Sequence, residues 1–174
     1  MNGSQIEQKN GQTPEISGCT VPQNPKMTSS TVLKGSLAGI TSGIIMGFFL
    51  KLTENATGQK VYILLLNVDF IPVIGKIQWT ELIEFIFHLL VSLVLGLVFY
   101  HQSRKSKLRY WKRLGLVAAL TLPALFLYFP LSVLDRKEVP AVDNWEAFLY
   151  WSLAHILFAF FLNHLYPVLE KWKR

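Results

Sequence analysis

The sequence predicts an all-α membrane protein, a four-helix transmembrane bundle that follows a disordered N-terminal tail. Three observations support this fold class. Of the 174 residues, 51% are hydrophobic and 16% are charged, whereas about 25% of the residues in a soluble domain carry charge. Four long apolar stretches are separated by polar segments. Lysine, arginine and tryptophan residues collect beside the ends of these stretches, as they do at membrane–water interfaces.

The tail and the first span come first along the chain. Residues 1–33 are rich in Gln, Asn, Ser, Thr, Gly and Pro and lack a hydrophobic period, which predicts a disordered cytoplasmic tail. Residues 34–174 then form the membrane domain. The first apolar stretch is short for a span, which needs roughly 20 residues, but Lys34 and Lys51 can extend it by reaching the interfaces. Lys51 also lies three residues before Glu54, a spacing at which the two side chains can pair. The four predicted spans lie at about 36–53, 81–100, 114–134 and 146–168.

Two segments are predicted to depart from regular spanning helices. Residues 61–75 are apolar, but they are interrupted by Asn67 and Asp69 and are too short to cross a bilayer. This favours an interfacial or re-entrant segment. In the third span, Pro123 and Pro130 each remove a backbone N–H from the helical ladder, which predicts a kink.

The distribution of basic residues predicts the orientation. The loop at 101–113 carries six lysine and arginine residues and no acid, and further basic residues precede the first span and follow the last. With four spans, all of them fall on one side, which the positive-inside rule assigns to the cytoplasm. We therefore predict a multi-pass protein of the inner (cytoplasmic) membrane, in contact with the lipid bilayer and with both termini in the cytoplasm. The net charge of +6 then reflects topology and does not predict nucleic-acid binding.

A ladder of four glycines follows one face of the first span: Gly35, Gly39, Gly43 and Gly47. They recur every four residues and make one smooth helical stripe. Such a stripe lets two helix backbones approach closely. It predicts packing against another span of the same chain or, alternatively, association with a second copy or with another membrane protein.

Ionisable residues inside the apolar stretches are the candidate functional residues. Glu81, Glu84 and His88 share one helix face at the start of the second span. His155 lies inside the fourth span, which begins near Glu146, and these five residues form the candidate polar cluster. At about 1.5 Å per residue, both imidazoles lie roughly 10–14 Å below the outer boundary. If the two spans are neighbours, Glu84, His88 and His155 converge on one site.

Three roles fit such a cluster. Histidine changes charge near neutral pH, and burial can bring a carboxyl group into the same range, so the cluster could relay protons. Imidazole and carboxylate also suit a divalent metal, or the histidines could lock helices together through hydrogen bonds. No dense His/Cys/Asp spacing is present, so no metal site and no cofactor are predicted. No nucleophile elbow, P-loop, dinucleotide fingerprint or zincin motif occurs, so no enzyme and no catalytic residue are expected.

The order and spacing of these features resemble the YagU-type (DUF1440) family of small bacterial inner-membrane proteins, over residues 35–165. The glycine-rich first span ends in a Lys-x-x-Glu step, Lys51 to Glu54, and the second span has His88 four residues before Ser92 and an aromatic end at Tyr100. A basic loop leads to Gly115, and the third span ends in an aromatic-Pro step, Phe129 and Pro130. An acidic residue, Glu146, precedes the fourth span with its central His155. The family's Pro-Pro-Arg-like stretch after the first span is absent, and Ala56 to Ile71 stand there instead. Because members of the family are linked to acid tolerance, the resemblance implies a role in acid or envelope stress.

The leading hypothesis is therefore a non-enzymatic membrane protein that supports acid or envelope-stress tolerance through a proton-linked polar cluster. One alternative is a structural or assembly subunit of a larger membrane complex, recruited through the glycine ladder. Another is a small-solute or ion transporter that acts as an oligomer, since four spans alone supply no obvious path.

Overall fold

The computed structural model describes residues 28–68, 75, 77–134 and 137–172, and these residues form helices and no strand. Four helical stretches are long and apolar enough to cross a membrane, the third of them consisting of two consecutive helices. The predicted all-α fold with four spans is confirmed. The helices are α1 (Ser29–Thr57), α2 (Val61–Leu66), α3 (Glu81–Lys105), α4 (Tyr110–Phe126), α5 (Tyr128–Leu134) and α6 (Trp145–Lys171).

The first helix begins earlier than the sequence analysis predicted. Residues 29–33 belong to α1 and not to the tail, and the predicted tail up to residue 27 lies outside the described residues. Contacts from other helices explain the difference. The Arg104 guanidinium donates to the Thr31 hydroxyl at 2.7 Å, and the Lys34 ammonium lies 3.7 Å from the Glu170 carboxylate. These contacts anchor the first turns of α1 to α3 and α6.

Helix α1 lies at the centre of the bundle, where it packs along both α3 and α6, and α4 packs chiefly against α6. The buried core includes Leu50, Phe99, Tyr128 and Leu162. Large apolar side chains also cover the outside, as expected for a surface that faces lipid. We call the end that contains Glu81 and Trp145 the outer end, and the opposite one the inner end, after the predicted orientation.

The glycine ladder packs against α3 of the same chain. A Cβ atom on any of its four glycines would lie 3.1 Å or less from an atom of α3. On Gly39 it would lie 2.3 Å from the Ser92 carbonyl oxygen, and on Gly47 it would lie 2.4 Å from the Phe85 ring. The stripe is thus covered within the chain, and a partner would have to displace α3 in order to bind it.

The third span is interrupted at Leu127, where α4 gives way to α5. Pro123 lies inside α4, and Pro130 supplies no N–H for the carbonyl four residues earlier. The Trp151 indole N–H of α6 donates to the carbonyl oxygens of Ala124 at 3.3 Å and Leu125 at 3.2 Å. The break in the helix therefore has a polar partner on the neighbouring span.

Helix α2 occupies the first part of the segment predicted to be interfacial or re-entrant, and residues 69–74 lie outside the described residues. The Glu54 carboxylate accepts the backbone N–H groups of Tyr62 at 2.8 Å and Ile63 at 3.1 Å. Glu54 thus satisfies the free N–H groups at the start of α2. The predicted pair of Glu54 with Lys51 was wrong, because Lys51 pairs instead with Glu81.

Candidate functional site

Three of the predicted residues line one cavity in the outer half of the bundle. Glu84 and His88 reach it from one face of α3, and His155 reaches it from α6. The cavity has a volume of about 170 Å³, and most of its wall is apolar. The chain thus brings two imidazoles and a carboxylate together in a largely hydrophobic space.

The imidazole of His88 bonds to the backbone carbonyl of Gly43, one of the four glycines that let α1 and α3 pack closely. Its Nε2 lies 3.3 Å from the Gly43 carbonyl oxygen of α1 and 3.5 Å from the Ser92 hydroxyl. The ring stacks on Phe85, with a centroid distance of 5.8 Å. Because a carbonyl oxygen can only accept, Nε2 carries the hydrogen in the neutral ring. The lone pair is then on Nδ1.

His155 has the opposite arrangement. Its Nδ1 lies 2.8 Å from the carbonyl oxygen of Trp151, one turn earlier in the same helix, so Nδ1 carries the hydrogen. The side chain is buried, and its ring lies 4.6 Å from the Trp151 ring. The Nε2 of His155 therefore keeps a lone pair. Each histidine has one nitrogen bound to a carbonyl and one that can accept a proton.

The Glu84 carboxylate is buried and is paired with the ammonium group of Lys137, which lies between α5 and α6. A buried carboxylate without a counter-charge is costly, and Lys137 supplies that counter-charge. Sequence reasoning missed Lys137, because it is 53 residues away. The sequence did indicate a basic residue of special interest, because Lys137 stands among acidic residues in the loop before α6.

The other two predicted residues, Glu81 and Glu146, lie at the outer rim and not with the histidines. Glu81 pairs with Lys51 and accepts from the Tyr62 hydroxyl at 3.2 Å. Glu146 accepts from the Gln59 amide at 3.3 Å. The two carboxylates hold together the elements at the outer end, and their prediction as members of one cluster was wrong. Helical spacing alone did not show that Glu81 and Glu146 would find partners at the outer end of the bundle.

Charge pairing shifts two groups outside the spanning helices. Burial, together with the charge and hydrogen bond of Glu81, raises the pKa of Tyr62 to about 12. The Lys60 ammonium, which pairs with Glu138, holds the pKa of that carboxyl below its usual range. The outer rim therefore favours carboxylates in their charged form and this phenol in its neutral form.

A second polar network, not predicted from the sequence, surrounds Glu170 at the inner end. The Tyr100 hydroxyl donates to its carboxylate at 2.5 Å. Lys34 lies 3.7 Å and Arg104 3.8 Å from the same oxygen. These contacts connect α1, α3 and α6 at the end of the bundle opposite Glu84. They therefore hold the three helices together and take no part in the cavity.

Within the described part of the chain, no group of three or more His, Cys, Asp or Glu side chains is placed to hold a metal ion. The carboxylate of the cavity is already paired with Lys137. The groups in the cavity that can accept a proton are the two imidazole nitrogens that do not face a carbonyl oxygen.

Comparisons with protein-family models, with curated proteins and with solved structures find no match. The four long apolar helices are compatible with a multi-pass integral membrane protein.

Proposed function

We propose that this chain is a non-enzymatic protein of the inner membrane that supports acid or envelope-stress tolerance through a proton-linked polar cluster formed by Glu84, His88 and His155. The observation that carries the proposal is the shared cavity, in which each imidazole keeps one nitrogen with a lone pair. The family resemblance, with its link to acid tolerance, points to the same role.

The charges around the cavity suggest how proton uptake would be sensed. Glu84 faces it from α3 and Lys137 borders it from the segment after α5, whereas the lining residues from α1 and α4 carry no charge. A proton on His88 adds a second cation near Glu84, four residues away on the same face. His88 would then compete with Lys137 for the carboxylate. Weakening of that pair would release the outer loop that holds Lys137.

A purely structural role accounts for one histidine better than for the other. The Nε2 hydrogen bond of His88 connects α3 to the Gly43 carbonyl of α1, so it does join two helices. The hydrogen bond of His155 ends on Trp151 of its own helix and joins no pair of helices. The assembly-subunit alternative is weakened because α3 covers the glycine ladder.

The experiment is survival of cells after an acid challenge, for wild type and for His88→Gln, His155→Ala and Glu84→Gln. Gln at position 88 keeps an N–H donor for Gly43 but does not titrate. His101→Ala, near the inner end, is the matched control. We expect lower survival for the three cavity variants and normal survival for the control. Normal membrane levels with unchanged survival in all three cavity variants would refute the proposal.

A further inference from the structure

A second cavity lies between α4 and α6 and extends from the inner end past the middle of the bundle. Its volume is about 490 Å³, and it reaches from Tyr110 to Leu125 along α4 and from His164 to Ser152 along α6. At about 1.5 Å per residue, these stretches are about 22 Å and about 18 Å long. Both exceed half of a hydrocarbon core of about 30 Å. The cavity is therefore long enough to cover one lipid leaflet.

The wall of this groove is apolar and opens sideways to the surrounding lipid. Its apolar lining comes from both helices, and Leu122, Ile156 and Phe160 are more than half exposed. Polar lining groups lie at both ends of the groove. Those at the deep end, Thr121, Ser152 and His155, each bond to a carbonyl oxygen of their own helix. At the inner end the lining includes Asn163 and His164. The groove therefore suits an occupant that is apolar along most of its length and polar at the inner end.

Basic residues flank Tyr110, which lines the inner end of the groove. Arg109 immediately precedes α4 and Lys112 lies in its first turn, and both are exposed. The Arg113 Nε donates to the side-chain oxygen of Asn163 at 3.4 Å, and its Nη1 donates to the Leu108 carbonyl at 3.2 Å. A guanidinium has five N–H donors, so these two bonds leave others for an anion.

Little negative charge opposes this cluster. Of the acidic residues that the structure describes, Glu170 alone lies at the inner end. Its carboxylate is engaged by Tyr100, Lys34 and Arg104 on the side of α1 and α3. The inner mouth of the groove is thus positive, next to a largely apolar groove that is long enough to cover one leaflet.

We propose that the groove binds an anionic glycerophospholipid, with one acyl chain between α4 and α6 and its phosphate against Arg109, Lys112 and Arg113. The depth and apolar wall match an acyl chain, and the basic mouth matches the head group. Basic pockets between helices on the cytoplasmic side are known to hold anionic head groups. This inference does not depend on the proposed proton-linked function, because its charged contacts lie at the opposite end from Glu84.

The first part of the test addresses the head group. The purified full chain in detergent is titrated with dioleoyl phosphatidylglycerol and, separately, with dioleoyl phosphatidylcholine, and bound lipid is counted by native mass spectrometry. Wild type should bind the anionic lipid more tightly. Arg109→Gln and Lys112→Gln should each weaken that binding about fivefold, because a basic residue near a membrane surface contributes about 1 kcal/mol. Equal affinity of wild type for the two lipids would overturn the proposal.

The second part addresses the acyl chain. Ala118 lines the groove and Ala119 does not, although both are exposed on α4. Ala118→Phe should abolish the preferred lipid adduct, and the matched Ala119→Phe should keep it. Glycerol 3-phosphate, which has the charge but no chain, should not compete. Competition by glycerol 3-phosphate, or identical lipid binding by the two Phe variants, would show an anion site without a chain and would refute the lipid groove.

Discussion

Gly39 on α1 and Gly96 on α3 meet backbone to backbone, so that a Cβ atom on Gly96 would lie 2.5 Å from the Gly39 Cα. This contact lies in the same interface as the hydrogen bond from His88 to Gly43. The close approach of the two backbones therefore brings a carbonyl of α1 within reach of an imidazole of α3. The glycine interface helps to form the site as well as the bundle.

We expect Gly96→Ala to destabilise the protein, because its Cβ would meet backbone atoms that cannot rotate away. Overpacking of this kind costs about 1–3 kcal/mol. Gly115→Ala is the matched control, since nothing lies within 4 Å of its Cβ. It should be neutral or stabilise α4 by about 0.5–1 kcal/mol. Chemical unfolding in detergent micelles measures both. Equal stability of the two variants would contradict the packing argument.

The two cavity histidines should be opposite tautomers when neutral. His88 should carry its hydrogen on Nε2, and His155 should carry its hydrogen on Nδ1, because each of these nitrogens faces a carbonyl oxygen. Spectra of the protein with ¹⁵N-labelled histidine, with His88→Gln and His155→Ala used for assignment, can distinguish the two forms. The same tautomer at both positions would contradict the assignment of the lone pairs on which the proposed proton uptake rests.

The ion pair between Glu84 and Lys137 should show a large coupling in a double-mutant cycle. Lys137→Gln leaves a buried carboxylate without its cation and should cost about 2 kcal/mol of unfolding free energy. Adding Glu84→Gln removes that carboxylate and should restore part of the loss. Lys60→Gln, which removes the cation beside the exposed Glu138, is the control and should have little effect. Additive effects of the two changes at Glu84 and Lys137 would show that the pair is not coupled.

The spans could be predicted from the sequence because apolar length and flanking charge are local properties. The pattern of glycines likewise predicted a close helix contact, and packing against α3 was one of the two outcomes it allowed. The helical start at Ser29 could not be read locally, because it depends on Arg104 and Glu170 from distant helices.

The same distinction applies to the site. Spacing along one helix placed Glu84 and His88 on one face, and depth counting placed His155 at a similar level. Neither rule showed that Glu81 would pair with Lys51 at the rim, or that Lys137 would join Glu84. Lys51 belongs to α1 and Lys137 to the loop before α6, so their meeting with α3 is set by tertiary packing and not by the helical period of α3.

Stability at alkaline pH should depend on Tyr62. Its pKa is raised from about 10 to about 12 in the folded chain by burial and by the Glu81 carboxylate. The fold thus favours the neutral phenol, so its contribution is complete below about pH 10 and is lost as the pH rises toward 12. Tyr62→Phe cannot ionise and should lose less stability over this interval than wild type. Unfolding temperatures in detergent between pH 9 and 12 would show the difference, with Tyr110→Phe, an exposed tyrosine of α4, as the control. Parallel curves for wild type and Tyr62→Phe would mean that the phenol is not held neutral by its surroundings.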